Sequence, residues 1–280
     1  MVTNHNFLRG FNMRDEQRII VQNLTYKTAT NQVLFNGLNF TLADVKTGLV
    51  SRNGIGKSTL LKLIIKNLQP TSGTIKVVGT LDYCPQDSSP YYDLTIAQFF
   101  NIANKLRALE NISQGSIDPQ DFIELADNWN IRERILKYLE KFSLKTKDLT
   151  TKIDTLSNGE ITKLYLAKIF NPEATADFII LDEPTNNLDS NTRTMLYQSI
   201  QQSSQGMIIV SHDAALLELM DQILSLTECG VKIYGGNFSL YKRQQKIEHD
   251  AKEQHLINAQ KTLKKARNSI QASYEKHAQN

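Results

Sequence analysis

The chain has 280 residues, with 32 Lys+Arg, 29 Asp+Glu, 40% hydrophobic and 22% charged side chains. This composition excludes a disordered, collagenous or disulfide-scaffold protein, and the length suits one large domain or two small ones. The net charge of +3 is unevenly spread: residues 242–280 hold nine basic and four acidic side chains, a tail of +5, which leaves −2 for the rest.

Residues 1–17 form a ragged polar extension without the continuous apolar core of a secretory signal. Strand patterns follow at 19–21, with Leu24 and Tyr26 beyond, and at 33–42, where Asn36-Gly37 suggests a turn. A short apolar run at 45–50 precedes a glycine-containing loop and an apolar helix through Leu60, Leu61, Leu63, Ile64 and Ile65. Residues 74–78 and 80–84 read as strands around Gly79. Residues 94–149 are mostly helical in pattern, with a loop at 111–119.

Residues 178–181 are a continuous apolar run, expected as a strand buried on both faces. A helix is expected at 192–202, a buried strand at 207–210, a helix at 214–220 and a last strand at 231–234. Strands alternating with helices predict an α/β domain with a mainly parallel sheet. From Lys242 the chain has no Gly or Pro, and Leu256, Ala259, Leu263, Ala266, Ile270 and Ser273 recur at heptad-like spacing. That pattern predicts a helical arm, with a solvated surface helix as the alternative. No run of about 18 apolar residues occurs, so no direct membrane insertion is expected. Cys84 and Cys229 fit no metal spacing; reduced thiols in a cytoplasmic protein are expected, and a disulfide stays open.

The loop Ser51-Arg52-Asn53-Gly54-Ile55-Gly56-Lys57-Ser58-Thr59 follows a strand and opens a helix, which is a phosphate-binding pattern. Glycines let backbone N–H groups turn inward, and the helix N-terminus adds a positive dipole. Lys57 is placed to reach the β- and γ-phosphates, and the Ser58 hydroxyl to ligate Mg²⁺. Ser51 stands where the pattern usually has its first glycine, and serine tolerates positive φ less well.

Asp182 and Glu183 end the apolar strand at 178–181. Asp182 is the expected Mg²⁺ partner and Glu183 the group that polarises an attacking water. Gln86 follows a strand, where it contacts Mg²⁺ and water in this reading; His212 follows a buried strand, where it hydrogen-bonds a γ-phosphate. Ser157-Asn158-Gly159-Glu160 starts a helix, and a capping box explains it on local physics alone.

In this order the motifs resemble an ATP-binding-cassette ATPase over roughly residues 18–240. Residues 51–59 resemble its Walker A loop, Gln86 the Q-loop, 156–160 the signature, 178–183 Walker B, Asn187 to Asp189 the D-loop and His212 the switch histidine. Tyr26 resembles the aromatic that stacks on adenine, and a core tyrosine is the equal alternative. The resemblance implies a P-loop NTPase fold: a mainly parallel core sheet, an antiparallel β subdomain and a helical subdomain at about 90–172. A basic helical segment follows from 242. It implies ATP and Mg²⁺ sandwiched between two cassettes, so that Ser157 and Gly159 serve a partner's nucleotide and a single copy cannot close its own site.

The string from Asp182 to Asp189, the Glu160 that ends the signature and the segment from Tyr234 to Tyr241 resemble the F subfamily. Its members carry two cassettes in one chain, act on ribosomes in translation, and in some cases protect ribosomes from antibiotics. Only one cassette is present, so a homodimer or a missing C-terminal half is expected, whether the chain is a fragment, a split gene or a truncated product. The 71 positions from Gln86 to Ser157 leave room for a short arm or none. The basic tail is expected to meet ribosomal RNA phosphates. Two other readings stay open: the ATP-binding subunit of a membrane transporter, and a nucleotide-dependent regulator with little turnover.

Overall fold

The computed structural model describes residues 18–277 apart from Asn53, Ser88, Lys147, Pro172 and Glu173, with side chains described as far as Lys265. The expected extension at 1–17 lies outside the described residues.

The chain enters as β1 (Ile19–Lys27) and β2 (Val33–Leu42), which pair antiparallel. The turn expected at Asn36-Gly37 is a bulge instead. Pairing jumps from Leu24–Leu38 to Tyr26–Phe35, and Gly37 takes φ +66°. The extra residue lets Phe35 and Leu38, three positions apart, both face the core, which an unbroken period of two forbids. Next come β3 (Lys46–Ser51), α1 (Lys57–Ile64), β4 (Ser72–Val77) and β5 (Leu81–Cys84). β4 joins the other edge of β1, completing a three-stranded sheet in the order β2-β1-β4.

The helical stretch contains α2 (Ile96–Phe99), α3 (Ala103–Ser113), α4 (Pro119–Leu125) and α5 (Ile131–Lys141). α3 runs three residues into the expected loop, and Asp118 caps α4 by accepting the Gln120 N–H at 2.9 Å. After a 3-10 turn comes α6 (Asn158–Ile169), then β6 (Phe178–Asp182), α7 (Ser190–Gln202), β7 (Gly206–Val210) and α8 (Ala214–Leu217). α8 is a turn shorter than expected, because the Leu219 and Met220 N–H groups tighten onto the carbonyls of Leu216 and Leu217. β8 (Gln222–Thr227), absent from the expected elements, pairs antiparallel with β9 (Gly230–Gly235). α9 (Phe238–His277) closes the described chain.

The second sheet runs β5-β6-β7-β3-β8-β9, parallel except for β9. β6 shows why its run is apolar throughout. Ile179 and Leu181 face the helices, while Phe178 and Ile180 face α1 and the antiparallel sheet. Both sides are dry, and each such side chain contributes about 1.5–3 kcal/mol by leaving water. The parallel strands all end on one edge, so the residues after β3, β5, β6 and β7 converge there, where ligands of such sheets bind.

α9 starts inside the body. Tyr241 is buried, its ring edge-on to Tyr234 and stacked on Phe238, and its hydroxyl accepts a 2.9 Å bond from Gln245. Beyond it the helix is solvated, and Leu256 and Leu263 stand exposed. The side chains of Ala266, Ile270 and Ser273 lie outside those described. Cys84 is buried and Cys229 exposed, both free. Burial pushes the Cys84 thiol up to about 12.

Candidate active site

Ser51 ends β3 in the extended conformation, paired with Leu226, and is not among the positive-φ residues. The strain expected of a serine here is therefore absent: among its described residues, this turn asks for glycine at Gly54, φ +84°, and Gly56, φ +105°. Gly56 also rests on β2. A Cβ there would lie 2.8 Å from Leu34 and 2.9 Å from Phe35, so the loop is held against the antiparallel sheet. Gly56 is the N-cap of α1 without any side-chain cap, which leaves the helix's first N–H groups for an anion. Asn53 lies outside the described residues.

Lys57 Nζ donates to the Ser51 carbonyl at 3.4 Å and lies 3.5 Å from Nε2 of His212. His212 Nε2 is in turn 3.3 Å from Glu183 Oε1, and its backbone N–H donates to Glu183 Oε2 at 3.4 Å. Glu183 is held at φ +51°, a left-handed backbone unusual for a non-glycine, with its N–H donating to Val210 O at 2.8 Å. Burial raises its carboxyl above the usual range; His212 and Lys57 pull it back down. Lys57, Ser58, Thr59, Gly54, Gly56, Gln86, Asp182, Glu183 and His212 line one open cleft of about 860 Å³. Ser51, Arg52 and Ile55 face a neighbouring cleft of about 510 Å³, bordered by Phe238 and Tyr241.

Asp182 tests the expected divalent cation. It is buried at the end of β6, accepts a hydrogen bond from the Ser58 hydroxyl, and its Oδ1 has no hydrogen-bond partner. Burial raises this carboxyl as well. An orphaned carboxylate oxygen beside a hydroxyl, on a residue that lines this cleft, fits Mg²⁺, which needs only one or two protein oxygens when substrate phosphates complete its shell. Among the described residues no group of three or more His, Cys, Asp or Glu forms a self-sufficient cage.

The remaining candidates lie apart. Ser157 caps α6: its hydroxyl donates to Glu160 Oε2 at 2.7 Å and accepts the Glu160 N–H at 3.4 Å. The Ser157 backbone N–H, which donates to Oε2 at 2.9 Å, and then its hydroxyl hold the Glu160 carboxyl below its usual range. A Cβ on Gly159 would sit 2.7 Å from the Asn187 carbonyl. Asn158 lines a third cleft with Gln86 and Glu183. Asp189 caps α7 through Thr192 and pairs with Lys163 of α6 at 2.8 Å. Tyr26 is half-buried opposite Phe35 and lines none of these clefts.

Three residues were not foreseen. Arg193 lines the main cleft and lies 3.9 Å from Asp213. Asp213 caps α8, taking the Ala215 N–H at 2.9 Å, and also accepts from the Tyr197 hydroxyl. The signal was present: an aspartate directly before a helix, next to His212.

Residues 35–186 match the family described as ABC transporter. The chain is 30% identical over 247 residues to the energy-dependent translational throttle protein EttA of Haemophilus influenzae, covering 87% of this chain and 41% of that protein. It is 28% identical to ABC transporter F family member 5 of Arabidopsis thaliana, covering 70% and 32%. It thus spans less than half the length of these relatives. The dimeric ATP-binding cassette MJ0796, solved in a post-hydrolysis state with ADP and Pi, shares the fold at a TM-score of 0.60 and 18% identity, covering 78% of this chain and 98% of that one. The chain belongs to the ABC transporter family, as an ATP-binding cassette of its F subfamily.

Proposed function

We propose that this chain binds ATP with Mg²⁺ and hydrolyses it to ADP and phosphate when paired with a second cassette. The observation that carries this is the convergence of Lys57, Ser58, Asp182, Glu183 and His212 around the uncapped N-terminus of α1. The N–H groups of the loop and α1 hold the phosphates, and Lys57 neutralises the terminal one. Ser58 and Asp182 would hold Mg²⁺, which supplies charge compensation for the phosphates. Glu183 takes the proton of the attacking water, and His212 orients both Glu183 and the γ-phosphate. Gln86 and Arg193 line the same cleft. Tyr26, packed on the core and outside the clefts, fits the core alternative better than a place on adenine.

The signature residues point to the pairing. Ser157 and Gly159 line neither this cleft nor its neighbour, which fits service to a partner's nucleotide. The full activity then depends on a homodimer or on a further cassette. The +5 tail and the likeness to EttA, named as a translational throttle, support a ribosome-associated function, in translation or ribosome protection, in the cytoplasm. Among the described residues no helix is long and apolar enough to cross a membrane.

The test is co-sedimentation of a Glu183→Gln variant with ribosomes in ATP at rising salt. Retention that weakens steeply with salt is expected from phosphate contacts. No sedimentation at any salt would sink the ribosome reading, and stable co-purification with a membrane protein would replace it with a transporter subunit.

A further inference from the structure

We infer that residues 117–129, around α4, form a docking surface for a basic protein segment that carries apolar side chains. The surface lies away from the nucleotide cleft, and the inference does not depend on the ATPase reading.

Four large apolar side chains stand in water within these thirteen residues: Ile117 at 90% exposure, Ile123 at 67%, Trp129 at 50% and Phe122 at 44%. Single exposed apolar residues are ordinary, but a cluster containing the chain's sole tryptophan is not. Phe122 and Trp129 meet edge to face, with ring centroids 6.4 Å apart. They share an aromatic surface without being buried by it.

The backbone is strained to present this pair. α4 ends on two consecutive left-handed non-glycine residues, Ala126 at φ +46° and Asp127 at φ +61°. Such a backbone is unfavourable for a residue with a Cβ. The turn is held by Asn128, whose Nδ2 donates to the carbonyls of Leu125 at 3.0 Å and Ala126 at 2.9 Å. Arg134 in turn holds Asn128 Oδ1 at 2.9 Å. Strain fixed by a bolted turn normally serves a site or a core. Here it places an exposed indole beside Phe122.

Charge selects the partner. Residues 117–129 contain Asp118, Asp121, Glu124 and Asp127 and no Lys, Arg or His. Asp121 accepts from Ser116 Oγ at 2.7 Å and Asn111 Nδ2 at 3.0 Å, which holds its carboxyl below the usual range and keeps it ionised. Nucleic-acid phosphates are repelled by such a surface. A protein segment with Lys or Arg around an apolar anchor is complementary to it, and exposed Trp and Phe are the side chains that dominate such contacts.

Because Trp129 is the only tryptophan, its emission reports this surface directly. The whole chain is titrated with a synthetic amphipathic helix of Leu and Lys, with its Leu and Glu counterpart, and with an RNA oligonucleotide. A saturable blue shift with the Leu and Lys helix alone is expected, about tenfold weaker in Ile123→Ser and in the Asp118→Asn/Glu124→Gln pair. Circular dichroism and ATP turnover should be unchanged in these surface variants. The inference is overturned by no shift, by an equal shift with the acidic helix, or by a shift with RNA. It is also overturned if the shift grows with protein concentration alone and vanishes in Ile123→Ser, since the occupant is then a second copy of the chain.

Discussion

Oε1 of Glu183 lies 3.3 Å from Nε2 of His212, although the two residues are 29 positions apart and end different strands. Two adjacent parallel strands, β6 and β7, deliver them side by side. The left-handed backbone at Glu183 turns its carboxylate toward the ring. A water between this pair and a γ-phosphate would meet a base and its positioning group together.

Replacing Glu183 with Gln keeps the shape and the contact with His212 but removes the proton acceptor. ATP binding should persist while turnover falls about 10²–10⁴-fold. Equilibrium binding and steady-state hydrolysis, measured on the same preparation with its partner cassette, separate the two. Unchanged turnover would contradict the assignment.

The raised Glu183 carboxyl has a signature in pH. Only the ionised form takes a proton, so turnover should climb as pH rises through its pKa and fail as pH drops below it. Because burial lifts that pKa, the acid limb should lie above the value of about 4.3 for a free Glu. A kcat–pH profile checks this, and His212→Gln should move the limb further up, since the histidine stabilises the carboxylate.

Lys57→Ala removes the loop cation that lines the main cleft. Charge-assisted hydrogen bonds are worth about 1.5–3 kcal/mol, so ATP binding should weaken about 10–100-fold. ADP should suffer less, lacking the terminal phosphate. Titration of both nucleotides measures the difference.

Gly159→Ala opposes two effects. Alanine gains about 1 kcal/mol of helix propensity over glycine. Its Cβ, however, would be 2.7 Å from the Asn187 carbonyl, where the resisting atom is backbone. Overpacking costs about 1–3 kcal/mol, so the variant should be less stable on balance. Denaturant midpoints decide the sign, and a stabilised variant would show that the 186–188 loop yields freely.

Asp189 is both a helix cap and the partner of Lys163. Asp189→Ala should cost about 1 kcal/mol through the lost cap. Asp189→Asn should cost less, because asparagine caps equally well and an exposed ion pair contributes about 0–1 kcal/mol. The bonds from Lys163 and Thr192 depress this carboxyl. Its contribution is therefore present above the unfolded pKa and lost as pH falls through the lower folded one. Melts of both variants at neutral and acid pH test the order.

The phosphate loop and the acidic strand end were legible because their spacing is local: strand, loop and helix are contiguous in Ser51–Ser58, and burial on both faces leaves 178–181 no polar position. The meeting of Lys57, Glu183 and His212 was legible only through the phosphate and water that each was expected to serve, since sheet order, not spacing, brings them together. β8 escaped because Gln222 and Ser225 interrupt its apolar run; both find partners inside the fold, Gln222 on Thr47 and Ser225 near Tyr241. The bulge at Gly37 looked like a hairpin turn because both devices use the same residues.

α9 is rooted by Tyr241 and runs for 40 residues, about 60 Å at the usual rise per residue. Its root borders the cleft that Ser51 and Arg52 also line. A rod so clamped acts as a pointer: one degree of tilt at the root sweeps its far end by about 1 Å at that length. Any sub-ångström adjustment at that cleft would be written large at a distance no side chain of the cassette can reach.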